Sequence, residues 1–219
     1  MTSRDRGEVV RGWIPGLLGE LVRWHGLYYV QSLGWPARFE AIVAQEAGEL
    51  AAAADDGDVQ AWSVWRGAQF LAGLAIDGRH GEGSQAAGAD VSGPDRTARG
   101  ARLRFFIAAD AARGLGLGNR LMQDALSWCD ARGYFQVWLT TVRGRDAAAH
   151  LYRKFGFVLR DEHIDASWGT PMHEQRWERQ ASATPLSAVA TARHNPGASA
   201  TSASMTPTTS PNMTSSPTP

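Results

Sequence analysis

The feature that most restricts how this chain can fold is the segment Phe105 to Asn119, which reads Phe-Phe-Ile-Ala-Ala-Asp-Ala-Ala-Arg-Gly-Leu-Gly-Leu-Gly-Asn. An apolar run, a short turn and glycines at positions 114, 116 and 118 lead straight into the helical pattern of Gly116 to Arg132. A strand must therefore hand over to a helix within a few residues. The first backbone amides of such a helix have no intrahelical partner, and the helix dipole adds about half a positive charge there, so an anion such as phosphate docks favourably. Glycine lets that ligand approach the main chain. A P-loop needs Lys after its last glycine, and the only Lys of the chain is Lys154, so that reading fails. A dinucleotide fingerprint spaces its glycines G-x-G-x-x-G; here they alternate and position 119 is Asn, a poor fit. The bland alternative is a helix start that merely tolerates glycine.

The rest of the chain bounds the fold. It has 219 residues, 22 basic and 22 acidic side chains and 43% apolar residues, the profile of an ordinary globular protein. Zero formal charge argues against a nucleic-acid partner, and no apolar run is long enough to argue for a membrane. A polar N-terminus without a secretory h-region gives the expectation of a cytoplasmic protein. A single cysteine, Cys129, forms no internal disulfide, and scattered His and carboxylates give no metal site, so no metal is expected. Oligomeric state is not legible. From Ala181 to Pro219 the composition shifts to Ala, Ser, Thr and Pro, with six of the ten prolines, and reads as a disordered tail (181–219) behind one domain (1–180). Asp77 to Ala101 is Gly-rich and aperiodic, a long loop insertion (77–101).

Periodicity predicts a short strand near Val9 to Trp13, then two amphipathic helices carrying Leu17 to Tyr29 and Phe39 to Leu50, broken at Gly34-Trp35-Pro36. Ala61 to Trp65 and Gln69 to Ile76 form a hairpin through Arg66-Gly67-Ala68. Leu103 to Ala108 (strand), Gly116 to Arg132 (helix), Phe135 to Thr141 (strand), Asp146 to Lys154 (helix), Phe157 to Arg160 (strand) and Gln175 to Arg179 (strand) complete the order. The result is α/β, with a mixed, mostly antiparallel sheet flanked by helices.

Arg113-Gly114-Leu115-Gly116-Leu117-Gly118 matches the R/Q-x-x-G-x-G/A signature of the GNAT superfamily of acetyl-CoA-dependent N-acyltransferases. About 35 residues on, Leu151-Tyr152-Arg153-Lys154-Phe155-Gly156-Phe157 resembles that superfamily's second motif, a helix ending in L-Y-x-x-x-G-F. His25-Gly26-Leu27-Tyr28, Gly34-Trp35 and Ser167-Trp168-Gly169 to Gln175-Arg176-Trp177-Glu178 resemble the branch often fused behind MarR-type regulators, although no winged-helix segment fits in these residues. The resemblance spans roughly Val9 to Arg179. It implies the GNAT (acyl-CoA N-acyltransferase) fold, with acetyl-CoA as acyl-donor substrate and a primary amine, small molecule or protein, as acceptor, joined by direct attack in a ternary complex. A non-catalytic acyl-CoA-binding regulatory module is the alternative.

The same resemblance implies the site. Arg113, Gly114, Leu115, Gly116, Leu117, Gly118 and Asn119 hold the diphosphate; Phe105, Phe106 and Ile107 hold the pantetheine as an added strand. The oxyanion donor, a backbone amide of the fourth strand, falls near Ile107. Tyr152 is the acid that protonates the leaving thiolate; read alone it belongs to an apolar stripe with Ala148, Leu151 and Phe155 and is core. An acceptor ammonium must lose a proton, yet Arg102 to Ile107 contains no carboxylate where many relatives carry one. His25, His150 and Asp110 are candidates by type, His25 foremost, with a water chain as the alternative. Trp24, Trp35 and Trp168 either frame the acceptor pocket or are core. Arg99, Arg102, Arg104 and Arg143 either meet a phosphate or solubilise. Cys129 reads as a small core residue.

Overall fold

The computed structural model describes residues 7–79 and 99–180. The expected tail at 181–219, and residues 80–98 of the loop insertion expected at 77–101, lie outside the described residues. The ends of that loop are strand, since Asp77 closes one strand and Gly100 opens the next.

The element order is β1 (Glu8–Arg11), α1 (Leu17–His25), a π-helical segment (Gly26–Ser32), α2 (Arg38–Ala52), β2 (Val59–Arg66), β3 (Gln69–Asp77), β4 (Gly100–Ala108), α3 (Leu117–Ala131), β5 (Gln136–Val142), α4 (Asp146–Lys154), β6 (Val158–Asp165) and β7 (Met172–Gln180). The strands form one sheet in the order β1-β2-β3-β4-β5-β7-β6. Every pairing is antiparallel except β4 with β5. A parallel neighbour needs a crossover, and α3 supplies it.

The sheet is covered on both faces because its central strands are apolar on both. On one face Leu74, Ile76, Leu103, Val137 and Leu139 pack with Leu121, Met122, Ala125 and Cys129 of α3 and Tyr152 of α4. On the other, Val59, Ala61, Phe70, Ala75 and Ile107 pack with Leu17 and Leu21 of α1 and Leu50 of α2. Leu17, Leu21 and Leu50 are wholly inaccessible, and each such side chain contributes roughly 1.5–3 kcal/mol by leaving water. Gly73 permits the close approach of α1, as a Cβ there would meet Leu21 at 3.2 Å. A paired charge ties α3 to the sheet: Arg179 of β7 donates two hydrogen bonds to Asp130 at 3.0 and 3.1 Å.

Periodicity predicts one helix through Tyr29, whereas the backbone widens to a π-helix at Gly26. Such a segment carries one residue more per turn than an α-helix, and this changes which side chains point inward.

Candidate active site

The parallel pairing of β4 and β5 is short. It holds at Gly100–Gln136, Ala101–Val137 and Arg102–Trp138, after which β4 runs on to Ala108 and β5 to Val142 without pairing. The cause lies in β4. Between the Ala75–Arg104 and Gly73–Ile107 pairs, the single residue Leu74 faces both Phe105 and Phe106. Phe105 sits in the left-handed region at φ 54°, a strained place for a bulky residue, costing on the order of 1–3 kcal/mol. A bulge of this kind bends and twists its strand, and beyond Arg102 a gap separates β4 from β5.

The ladder also fixes which peptides face that gap. Ala109 donates its N–H to the Leu71 carbonyl on β3 at 2.8 Å. Bonded and non-bonded pairs alternate along an antiparallel ladder, so two residues back the Gly73–Ile107 pair is again bonded. The backbone of Ile107 is therefore committed to β3, and its side chain packs beneath α1. The oxyanion amide is expected near Ile107, and the peptides next to it along the strand are those of Phe105 and Phe106.

Next to the gap, α3 starts bare. Its N-cap, Gly116, is left-handed at φ 72°, no side chain caps the helix, and its first turn holds no acid. At Gly114 and Gly116 a Cβ would meet nothing within 4 Å, so the approach to the main chain is open. Asn119 accepts a hydrogen bond from Lys154 Nζ at 2.5 Å, which brings one cation to the first turn. These are the requirements of a diphosphate cradle: free N–H groups, positive potential and no side chain in the way. Within the segment, Arg113 is mostly exposed and pairs with Asp110 at 2.7 Å. Leu117 is buried, leaving only its backbone to a ligand. Gly118 is a packing glycine, 3.2 Å from Leu151 and 3.4 Å from Phe106 at its would-be Cβ.

A narrow cleft of about 110 Å³ occupies the gap. Tyr29, Trp35, Phe39 and Trp168 wall it, with ring centroids 4.7–4.9 Å apart among Tyr29, Trp35 and Phe39 and 5.6 Å between Phe39 and Trp168. Arg102, Arg104, Glu46 and Glu174 supply the charges. His25 lies 6.1 Å from the Phe105 ring, over the bulge. Its Nδ1 is 2.8 Å from the Leu21 carbonyl oxygen; a carbonyl only accepts, so Nδ1 carries the proton and Nε2 keeps its lone pair. Burial lowers its pKa to about 4, and the bond to Leu21 offsets this only in part.

Tyr152 enters the cleft from α4, buried between Phe157 and Trp177. Burial pushes its hydroxyl well above the usual value near 10, nearby Tyr29 adds to this, and a hydrogen bond with Thr141 opposes it. Tyr29, half-buried in the cleft wall, is pushed up to about 12, chiefly by desolvation. Tyr152 is thus a buried ring that also lines the cleft.

Other candidates are not brought together. His150 and Asp110 are exposed and outside the cleft lining. Trp35 and Trp168 line the cleft, but Trp24 packs with the α1 cluster. Arg99 pairs with Asp58, and Arg143 with Glu162. Cys129 is buried, its thiol pushed above its ordinary pKa by that burial. Sequence reasoning missed Tyr29, Phe39, Glu46, Thr140, Thr141 and Glu174. No local pattern marks them, since four different elements deliver them to the same place.

A bare helix start beside a splayed pair of parallel strands, with a bulge facing the gap, is the layout of an acyl-CoA-dependent acyltransferase. Comparison with known proteins agrees. The model of the acetyltransferase (GNAT) family matches residues 22–157, more than half of the chain, and the chain belongs to that family. As a member it is an acyl-CoA-dependent N-acetyltransferase. Among solved structures it resembles a GCN5-related N-acetyltransferase from Kribbella flavida (17% identity, 82% of this chain and 100% of the other, TM-score 0.60). A ribosomal-protein-alanine N-acetyltransferase from Brucella melitensis is similar (15%, 80% and 99%, TM-score 0.59), as is an acetyltransferase from Streptococcus agalactiae (14%, 80% and 98%, TM-score 0.58). At these identities the likeness is one of fold. No curated protein matches the chain.

Proposed function

We propose that this chain moves an acetyl group from acetyl-CoA to a primary amine by direct attack in a ternary complex. The observation that supports this best is the meeting of two openings on one gap: the bare start of α3 on one side and the aromatic cleft on the other. Leu115 gives its N–H to the Ala112 carbonyl at 3.2 Å, so the other N–H groups of Gly114 to Asn119 hold the diphosphate of the donor substrate, and β4 beyond Arg102, unpaired with β5, offers an edge to the pantetheine. A bulge N–H from Phe105 or Phe106 donates to the thioester oxygen as negative charge builds there.

His25 accepts a hydrogen bond from the incoming amine through Nε2 and so aims its lone pair. With a pKa near 4 it does not keep a proton at neutral pH, so an ammonium of ordinary pKa about 10.4 loses its proton through water, toward the mouth carrying Glu46 and Glu174. Tyr152 faces the departing sulfur. Its hydroxyl is held above 10, whereas a thiol titrates near 8.5, so it stabilises the thiolate by donating a hydrogen bond; complete proton transfer would run uphill.

The cytoplasm is the compartment we assign, in keeping with one cysteine that is buried and unpaired. We also place the chain near the branch often joined to MarR-type regulators, on the segments that contribute His25 and Trp168. The test is direct: the full chain, acetyl-CoA and pooled primary amines, with released thiol read by a disulfide reagent. Amine-dependent thiol release is expected. Saturable coenzyme A binding with no such release would overturn the reading in favour of a non-catalytic acyl-CoA-binding module.

A further inference from the structure

Of the charged groups lining the cleft, three have partners and one is under-used. Arg104 donates to Glu46 at 2.6 Å and lies 3.6 Å from Asp77. Glu46 is thereby paired, and Glu174 accepts the indole N–H of Trp168 at 3.2 Å. Arg102 instead donates to a neutral oxygen, the Thr140 hydroxyl, at 3.2 Å. Among the described residues no carboxylate lies within ion-pair distance of it. Its guanidinium is set against the Trp138 ring at 4.8 Å, and Arg176 lies 4.1 Å from the same ring. Stacking of this sort holds the guanidinium plane while its N–H edge stays available for a planar, bidentate partner. Trp138 is only 5% exposed, so the platform is firm.

We propose that the acceptor is an amino acid, an amine that also bears a free carboxylate, and that Arg102 binds this carboxylate. The inference rests on the acetyl-transfer reading and specifies its acceptor. Arg102 stands three residues before Phe105, roughly 10 Å along an extended strand, so one small molecule reaches both the guanidinium and the bulge. The cleft is complementary to a zwitterion. Arg102 meets the anionic end, Glu46 and Glu174 attract the ammonium, and the rings of Tyr29, Trp35, Phe39 and Trp168 enclose the carbon skeleton. Burial and the charge of Arg104 both push the Arg102 guanidinium below its ordinary pKa. The more distant carboxylates of Glu46, Glu174 and Asp77 oppose this only in part, and a carboxylate in direct contact would complete the compensation.

The test compares amino acids with their own carboxamides and with the corresponding decarboxylated amines, α- and ω-amino acids both included. The assay is acetyl-CoA-dependent thiol release by the full chain. The expected result is that carboxylate-bearing acceptors are favoured by roughly 10- to 100-fold in kcat/KM, chiefly through KM, as suits a charge-assisted bidentate contact. Arg102→Gln should bring that preference ratio close to one, and Arg102→Lys should restore part of it. Equal use of acids and amides, or a ratio that Arg102→Gln leaves untouched, overturns the proposal while the acetyl-transfer reading stands.

If no amine releases thiol, that reading fails by itself, and protection against heat unfolding by the same compounds, with coenzyme A present, decides the matter. Protection by the acids that is weaker for the amides and lost in Arg102→Gln supports the anion site. Equal protection, or none, refutes it.

Discussion

Replacing His25 by Gln should remove a pH dependence of stability that the structure builds in. In the unfolded chain the imidazole titrates near its ordinary 6.5; in the folded protein burial holds it near 4. Between these values the unfolded chain binds more protons, so stability rises with pH across the window and is lost as pH falls through it. At pH 5 the unfolded ring is mostly protonated while the folded one is still mostly neutral. Linkage then gives a loss of about 2 kcal/mol relative to pH 7 from this residue alone. Gln retains an N–H for the Leu21 carbonyl but does not titrate. The carboxylates held below their usual range, Asp58, Glu162 and Asp165, lose their contribution at lower pH, below about 4.5. The interval from pH 7 to 5 therefore isolates His25 from them. Urea unfolding of the full chain and of His25→Gln at both pH values measures the difference. An equal pH response in the two proteins would refute the neutral, buried assignment, and with it the availability of Nε2 as an acceptor.

The remaining predictions concern other parts of the site and its frame. Tyr152→Phe should bind coenzyme A as the parent does in calorimetry, yet lose turnover by about tenfold or more, the worth of one hydrogen bond to a charged atom; unchanged turnover would remove Tyr152 from the reaction. Gly118→Leu forces side-chain atoms into Leu151 and Phe106, so we expect about 1–3 kcal/mol of destabilisation in urea, with weaker coenzyme A binding because the Phe106 side of the bulge is displaced. Asp130→Ala leaves Arg179 buried without its partner, both side chains being 5% exposed, and should cost about 3–5 kcal/mol. The double variant Asp130→Leu with Arg179→Met should recover most of that loss, measured by the same unfolding midpoint.

What the sequence determined by itself is local. Glycines at alternate positions after an apolar run leave one economical conformation, a strand turning into a bare helix start, and Gly114 and Gly116 indeed take positive φ. Hydrophobic period likewise predicted the order of strands and helices, because burial of one face is enforced residue by residue along each element. Tertiary structure decided everything that depends on one strand meeting another. Nothing in Arg104-Phe105-Phe106-Ile107 announces that an extra residue is accommodated opposite Leu74. Yet that one-residue shift sets the register in which Ile107 meets Gly73 of β3. The neighbourhood of Arg102 is equally nonlocal: Thr140 and Trp138 come from β5, Arg176 from β7 and Glu46 from α2. Side chains far apart in the chain acquire a common chemistry only when register brings them together, and register is set by the packing of the whole sheet.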